Sequence, residues 1–518
     1  MELLKKNIHM DRTRAETESQ ITLEDDLNIP ESKPDVSSLN LEKGNIIIEE
    51  VKPGIDLIHV RGRLVFHILY HTMEEGSRLV SLEGKLPFEE KLHLQGATPA
   101  DTVTVNGEAE DISIGIINSR KLSVQAVVTL TAKVEELYDE EVPIGLHGSE
   151  TVEYRKMPMD LAQIAVSKND IFRIKEEAPL PAGFPNIYQI LWDSVNLGDM
   201  QFKAMEGKLS IQGELQIFIL YEGEGENHPI RSFETVIPIS GMLDCHGCGE
   251  GSFLDIGFGI GQQELTVRPD LDGEERSIGI EIALDMNIRI YEERREEILT
   301  DIYGVNREVN AITREANLRK LLTRMTGKTK LGERMRIESG SAAILQLLHS
   351  EGKVLPGTQS VVENGILMQG SLQIKVMYIT GDDETPYASA QSVIPYQYTM
   401  EIPGITSEDM GQVQVRLEQL QVTMLDGEEM DVKAILSFST TVFQNAPMEL
   451  IGEIQVEELE RGKLSSLPGM VIYVVREGDN LWNIGKKYYV TVDALKELNG
   501  LTGDEIRPGQ KLLITKGV

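Results

Sequence analysis

The chain has 518 residues, 41% of them apolar and 26% charged, and its 50 basic against 84 acidic side chains leave a formal net charge of −34. That length exceeds what one hydrophobic core serves, so several domains are expected, and so acidic a surface repels phosphate backbones, which argues against nucleic acid as a partner. Two cysteines cannot make a disulfide framework, and no run of about 18 apolar residues is present to make a transmembrane segment.

Residues 1–30, beginning MELLKKNIHMDRTRAETESQ, form an N-terminal polar segment that is expected to be poorly ordered. They lack the apolar stretch of a secretory leader, so the chain is expected to stay in the cytoplasm of the cell that makes it. Beyond them a strand-like segment recurs three times: GRLVFHILY at Gly62–Tyr70, GELQIFILY at Gly213–Tyr221 and GSLQIKVMY at Gly370–Tyr378. Two, four and six residues after each Gly lie Leu64, Phe66 and Ile68; Leu215, Ile217 and Ile219; Leu372, Ile374 and Val376. That alternation puts them on one face of a strand. A Pro follows each Gly by 25 residues (Pro87, Pro238, Pro395). An apolar pair precedes it by 26 and 23 residues: Val36 and Leu39, Ile187 and Ile190, Ile344 and Leu347. The same marks at the same offsets make an internal repeat.

Each copy closes on a long alternating run: LSVQAVVTLTAKV from Leu122, IGIEIALDMNIRI from Ile278 and MDVKAILSFSTTV from Met430. Turn residues fall between the marks at Glu74-Glu75-Gly76, Gly223-Glu224-Gly225 and Gly381-Asp382-Asp383. The pattern predicts a mainly β chain of three tandem antiparallel β-sandwich-like modules over 31–142, 181–293 and 338–446, each with its own core and docked on its neighbours.

The connectors differ. Gly145–Gly183 reads as a short strand and a Pro-rich approach to the second copy. Cys245-His246-Gly247-Cys248 has the spacing of half a zinc site, with His228 the nearest further ligand; a structural site needs four, so no metal is assigned. Val305, Val309, Ile312 and Ala316, then Leu318, Leu321, Leu322 and Met325, recur at helical spacing and predict a basic linker helix over 300–336. Within it Arg314–Arg336 hold eight Lys/Arg against two Glu. That excess can dock an acidic partner, a neighbouring copy or a lipid surface, or be the solvated face of a linker. Thr326-Gly327-Lys328-Thr329 ends like a phosphate-binding loop, but the required first Gly falls on Leu322, so no nucleotide site is read. No carboxylate pair, nucleophile elbow or HExxH helix stands out, and the chain is read as non-enzymatic, without cofactor.

Residues 470–516 form a separate C-terminal domain. Tyr473–Val475 is β-prone, Asn480 can cap a helix carrying Leu481 and Ile484, and Thr491 can cap a second carrying Val492, Leu495 and Leu498. Asn499-Gly500 stops that helix, and Pro508-Gly509 turns into a strand at Lys511–Ile514, which gives the order βααβ. Tyr473, Gly478-Asp479, Leu481-Trp482, Ile484, Leu495, Leu498-Asn499, Ile506 and Pro508-Gly509-Gln510 closely resemble the LysM family. The resemblance implies a small α+β fold and a shallow groove between two loops that takes N-acetylglucosamine polymers such as peptidoglycan. Carried onto this sequence, the groove residues are Gly478, Asp479, Asn480, Leu481, Leu501, Thr502, Asp504 and Ile506. Asn480 stands where the family usually has Thr or Ser.

Tandem β modules with the strand Gly-x-Leu followed by alternating apolar residues and Tyr, closed by one LysM, resemble the SPOCS-domain proteins of endospore-forming bacteria, notably the SipL-type spore envelope assembly proteins of clostridia. That resemblance implies a sporulation scaffold in the mother-cell cytoplasm, at the forespore outer surface and in the spore coat. Its implied partners are the stage IV sporulation morphogenetic ATPase (SpoIVA) and other coat proteins. A bilayer would then separate the LysM groove from the cortex glycan, which favours a protein ligand for it. The alternatives are a peptidoglycan-binding cell-wall protein, or a wall hydrolase with LysM as targeting arm, for which three matched β copies leave little room.

Overall fold

Each long alternating run folds as a strand, because one face of every run has an apolar partner layer and the other has water. The structure, a computed structural model, describes residues 1–73, 78–148, 152–225, 228–338, 341–382, 385–458 and 469–515. The first module consists of β1 (Glu2–Asn28), β2 (Val36–Pro53), β3 (Leu57–Thr72), β4 (Leu79–His93), β5 (Val103–Asn118) and β6 (Lys121–His147). They make two antiparallel sheets ordered β1-β6-β5 and β2-β3-β4. The second repeats this with β7 (Val152–Pro179), β8 (Ile187–Met205), β9 (Lys208–Gly223), β10 (Ile230–Asp244), β11 (Phe253–Pro269) and β12 (Glu275–Gly304). The third uses β13 (Arg307–Arg336), β14 (Ile344–Val362), β15 (Gly365–Thr380), β16 (Tyr387–Glu401), β17 (Met410–Met424) and β18 (Glu429–Glu458).

The repeated segment is the central strand of its sheet: β3, β9 or β15. Its alternating residues are buried in all three copies, as are the tyrosines Tyr70, Tyr221 and Tyr378. The closing run supplies the facing layer through β6, β12 and β18, and each pair of sheets encloses its own core. The Pro lies on the outer strand β4, β10 or β16, where its missing N–H breaks no ladder. The Gly and the residue after that Pro are cross-strand partners: Gly62 with Phe88, Gly213 with Ile239, Gly370 with Tyr396. β-bulges recur at matching positions too, after Val36 and Leu39, Ile187 and Ile190, Ile344 and Leu347. The fold class expected from sequence is found: mainly β, three sandwiches and a small α+β C-terminal domain. Of the expected turns, Gly223 ends β9 and Glu224-Gly225 bend after it, whereas 74–76 and 383 lie outside the described residues, as does 516.

Three expectations need correction. The basic linker helix over 300–336 is the 30-residue strand β13, paired with β18 along its whole length. The polar 1–30 segment is ordered as β1, paired with β6. The short strand before the second copy is the 28-residue β7, paired with β12. Each sandwich therefore draws in a long leading strand from outside the module bounds read from sequence, since only its partner some 100 residues downstream gives that strand a ladder and a buried face.

About half of each long pair lies beyond its sandwich. These projecting halves are two-stranded ribbons, and the three ribbons pack around a shared core of Ile8, Met10, Val142, Met159, Leu161, Ile298, Ala316, Leu318 and Leu450. The outer faces of the other sheets meet through a second shared cluster that includes Leu41, Leu69, Trp192, Phe218 and Met377. The three modules thus form one body with pseudo-threefold character, beyond the simple string of docked domains.

Candidate binding site

The C-terminal domain is β19 (Met470–Val474), α1 (Leu481–Tyr488), α2 (Val492–Asn499) and β20 (Lys511–Thr515), with β19 antiparallel to β20. The caps read from sequence are present. The Asn480 Oδ1 accepts the Asn483 N–H at 2.8 Å, and the Thr491 hydroxyl accepts the Ala494 N–H at 3.1 Å. Gly500 closes α2 in the left-handed conformation. Val475, Leu481, Ile484, Val490, Leu495, Leu512 and Ile514 make the core.

Two loops lead out of this core, 475–480 and 500–510, and backbone bonds join their bases. The Val475 N–H donates to the Gln510 carbonyl at 2.9 Å, and the Gly509 N–H to the Val475 carbonyl at 2.8 Å. On the first loop Gly478 sits at φ 85°, and Asp479 folds back so that its Oδ2 accepts the Tyr473 hydroxyl and the Arg476 N–H, both at 2.7 Å. The Arg476 backbone bond, then the Tyr473 hydroxyl, hold this carboxyl below the usual carboxylate range. Asn480 uses its oxygen as a cap, and Leu481 is 2% exposed. On the second loop Thr502 and Asp504 are exposed, and Asp504 pairs with Lys496. Leu501 and Ile506 are half-buried against the core. The structure thus sorts the eight predicted residues: Leu481 is a core side chain, Gly478, Asp479 and Asn480 shape the first loop, and Thr502 and Asp504 stand outward. Exposed Thr502 and Asp504 beside half-buried Leu501 and Ile506 offer polar and apolar groups of the kind that take a sugar ring or a polypeptide.

Two features of this domain lie beyond the sequence reading. Asn499, read as a helix stop, joins α2 to β20: its Nδ2 donates to the carbonyls of Leu495 (2.9 Å) and Leu513 (2.8 Å), and its Oδ1 accepts the Leu513 N–H at 2.6 Å. Trp482 faces away from the domain core and docks on the tip of the second ribbon. Its Nε1 donates to Asp301 Oδ2 at 2.7 Å, its ring packs edge-on against Tyr303, and Arg155 lies over it at 5.4 Å. Lys486 pairs with Asp301 at 2.6 Å, and the Tyr303 hydroxyl donates to the Val490 carbonyl at 2.9 Å. Burial first of all pushes the Tyr303 phenol up, beyond its ordinary range. The Leu481-Trp482 mark in sequence was the available signal, but the partner of Trp482 lies 181 residues away.

A cavity of about 290 Å³ lies where the three sandwiches meet. Its lysines are engaged between modules: Lys43 with the Asp193 carbonyl (2.5 Å), Lys353 with the Ala109 carbonyl (2.6 Å) and Lys375 with Glu42 (2.9 Å). These pairs fasten the modules to one another. Among the described residues no helix is long and apolar enough to cross a membrane, and no group of three or more His, Cys, Asp or Glu is placed to hold a metal ion.

The family model described as LysM domain matches residues 473–515, and the one described as SipL, SPOCS domain matches 35–117, 186–267 and 343–425. Each SPOCS match spans the four strands from β2 to β5 or their counterparts, leaving the long flanking strands outside. Residues of the C-terminal domain are 56% identical over 43 residues to a Listeria welshimeri protein described as endopeptidase p60 (8% of this chain, 8% of that one). They are 55% identical over 40 residues to the Bacillus subtilis protein LytE, described as a peptidoglycan endopeptidase (8% and 12%). They are 47% identical over 45 residues to Bacillus subtilis YdhD, described as a sporulation-specific glycosylase (9% and 11%). The chain thus spans about a tenth of the length of these relatives, and the likeness to the endopeptidases is confined to the LysM region. No solved structure matches the chain.

Proposed function

We propose that this chain, which belongs to the SPOCS-domain proteins and ends in a LysM domain, is a non-catalytic sporulation scaffold that binds other proteins through both module types and helps assemble the spore coat. The observation that carries this reading is the clamp between the LysM domain and the second module, through Trp482, Lys486, Asp301 and Tyr303. It holds the LysM domain against the second of the three β modules on a single body. Linked surfaces held in a set geometry raise effective concentration when several partners assemble, which suits a scaffold. The proposed partners are the stage IV morphogenetic ATPase and other coat proteins, and the proposed place of action is the forespore outer surface in the mother cell. In the groove, Thr502 and Asp504 are the proposed contacts, with Leu501 and Ile506 as floor and Gly478, Asp479 and Asn480 as the shaped rim.

The second reading is peptidoglycan binding, favoured by the likeness of residues 473–515 to wall-acting relatives. One experiment separates the two. Full-length protein and a Thr502→Arg/Asp504→Arg variant are each offered insoluble peptidoglycan and a sporulating-cell lysate. The scaffold reading expects defined protein partners that the variant loses, with weak retention on glycan. Strong groove-dependent retention on glycan, with no protein partner, would replace it. A fluorescent fusion that fails to collect at the forespore would remove the coat role.

A further inference from the structure

The corner between β10 and β11 carries the chain's two cysteines, and the binding role above does not use them. Cys245 and Cys248 are the ends of a four-residue turn, closed by the Cys248 N–H donating to the Cys245 carbonyl at 3.1 Å. Gly247 between them has φ 92°. Both side chains run inward: Cys245 is 1% exposed and Cys248 3%, and both join the core of the second sandwich.

The sister modules show what this corner needs in order to fold. Leu94 and Ala97 hold the two positions in the first module, and Ile402 and Ile405 in the third, with the turn bond at 3.1 and 3.3 Å. The intervening glycines, Gly96 and Gly404, have φ 85° and 80°, and all four flanking side chains are buried. An apolar pair therefore satisfies the corner, so packing alone does not call for two thiols. A turn of this kind holds its end Cα atoms within about 7 Å, close to the span of a disulfide.

We propose that Cys245 and Cys248 are an oxidisable pair that closes to a disulfide within the second module. Hydrogen peroxide is a sufficient oxidant. One thiolate takes an oxygen from peroxide to give a sulfenic acid and hydroxide, which leaves as water once protonated. The second sulfur then displaces the sulfenic oxygen as water and forms the S–S bond. In sum, two thiols and one peroxide give one disulfide and two waters. The bond would lock a junction of four strands, because the Cys245 N–H donates to the Gly207 carbonyl and the Gly207 N–H to the Cys248 carbonyl, each at 2.9 Å. Burial pushes the Cys245 thiol up, so closure is slow at neutral pH and quickens as pH rises.

To test this, the full chain is treated with peroxide, quenched, denatured and alkylated with N-ethylmaleimide, and its intact mass is read. The expected result is loss of two hydrogens, no alkylation, reversal by dithiothreitol, and cleavage of the second module by protease slowed on the order of ten-fold. A Cys245→Leu/Cys248→Ala variant, which installs the first module's pair, keeps the fold and shows none of these changes. Two maleimides added after peroxide, oxygen uptake without S–S closure, or disulfide-linked dimers would each overturn the proposal. So would a stoichiometric zinc ion retained by the untreated protein in native mass spectrometry.

Discussion

Asp11 is shared by all three modules. Its Oδ2 accepts the Tyr291 hydroxyl of the second at 2.9 Å, and its Oδ1 accepts Arg319 of the third at 3.0 Å. Arg319 is buried, so Asp11→Ala leaves a desolvated guanidinium unpaired and is expected to cost about 3 kcal/mol, read as a fall in denaturant midpoint. Asp11→Leu with Arg319→Met should regain most of that loss, because it removes both charges together. A second prediction concerns the repeated Gly. A Cβ on Gly62 would lie 2.6 Å from the Ile47 carbonyl oxygen and 2.7 Å from the Phe88 ring. Gly62→Ala is therefore expected to destabilise the protein by about 1–3 kcal/mol, and Phe88→Leu in the same chain should relieve part of it. The 26-residue offset between Gly and the residue after Pro was legible as a pattern; that it marks a cross-strand contact was not.

At the scale of elements, β13 shows how a strand can carry helical spacing. Ala316 and Leu318 are buried two apart, as a strand requires, but register shifts fall at Ile312/Thr313 and Leu321/Thr323. The first bulges β18 at Gly452, and the second leaves Leu322 of β13 unpaired and changes which face the following residues occupy, so apolar residues recur at threes and fours without a helix. Four of the eight basic side chains over 314–336 are paired within the chain: Arg314 with Glu140, Arg319 with Asp11, Lys328 with Glu418 and Arg336 with Glu429. The clamp between α1 and the second ribbon gives a further prediction. Asp301→Ala removes the acceptor of both Trp482 and Lys486, and is expected to weaken docking by about 1–2 kcal/mol. In a Trp192→Phe background, which leaves Trp482 as the one indole, its emission should shift to the red as the ring meets water. An unchanged spectrum would show that packing against Tyr303 holds the domain without Asp301.

At the scale of the whole molecule, joint cores and inter-module polar contacts make the three modules one cooperative unit, so acid should act on their junctions. Burial, then Lys43, hold His67 below its ordinary 6.5, while Asp193 and Glu83 partly oppose this and Lys85 adds to it. Burial lowers His71 as well, against the backbone bond to the Tyr387 carbonyl, which joins the first module to the third. A histidine depressed in the folded state contributes stability that is full above the unfolded value near 6.5 and is lost as pH falls through the folded value. The melting temperature is therefore expected to drop below about pH 6.5. His67→Phe, which copies Phe218 at the matching position of the second module, should flatten that slope.

The sequence by itself determined the elements whose partners are close or whose pattern is regular: the repeated central strands, the closing strands, and the caps and core of the LysM domain. In these the burial of one face or the bonding of one turn is written in consecutive residues. Only the tertiary structure decided the fate of 1–30 and 300–336, the ribbons around a shared core, and the docking of Trp482. Their ladders and apolar partners come from residues 100 or more positions away. A polar or irregular segment becomes a strand when such a partner arrives, and no window along the chain contains that partner.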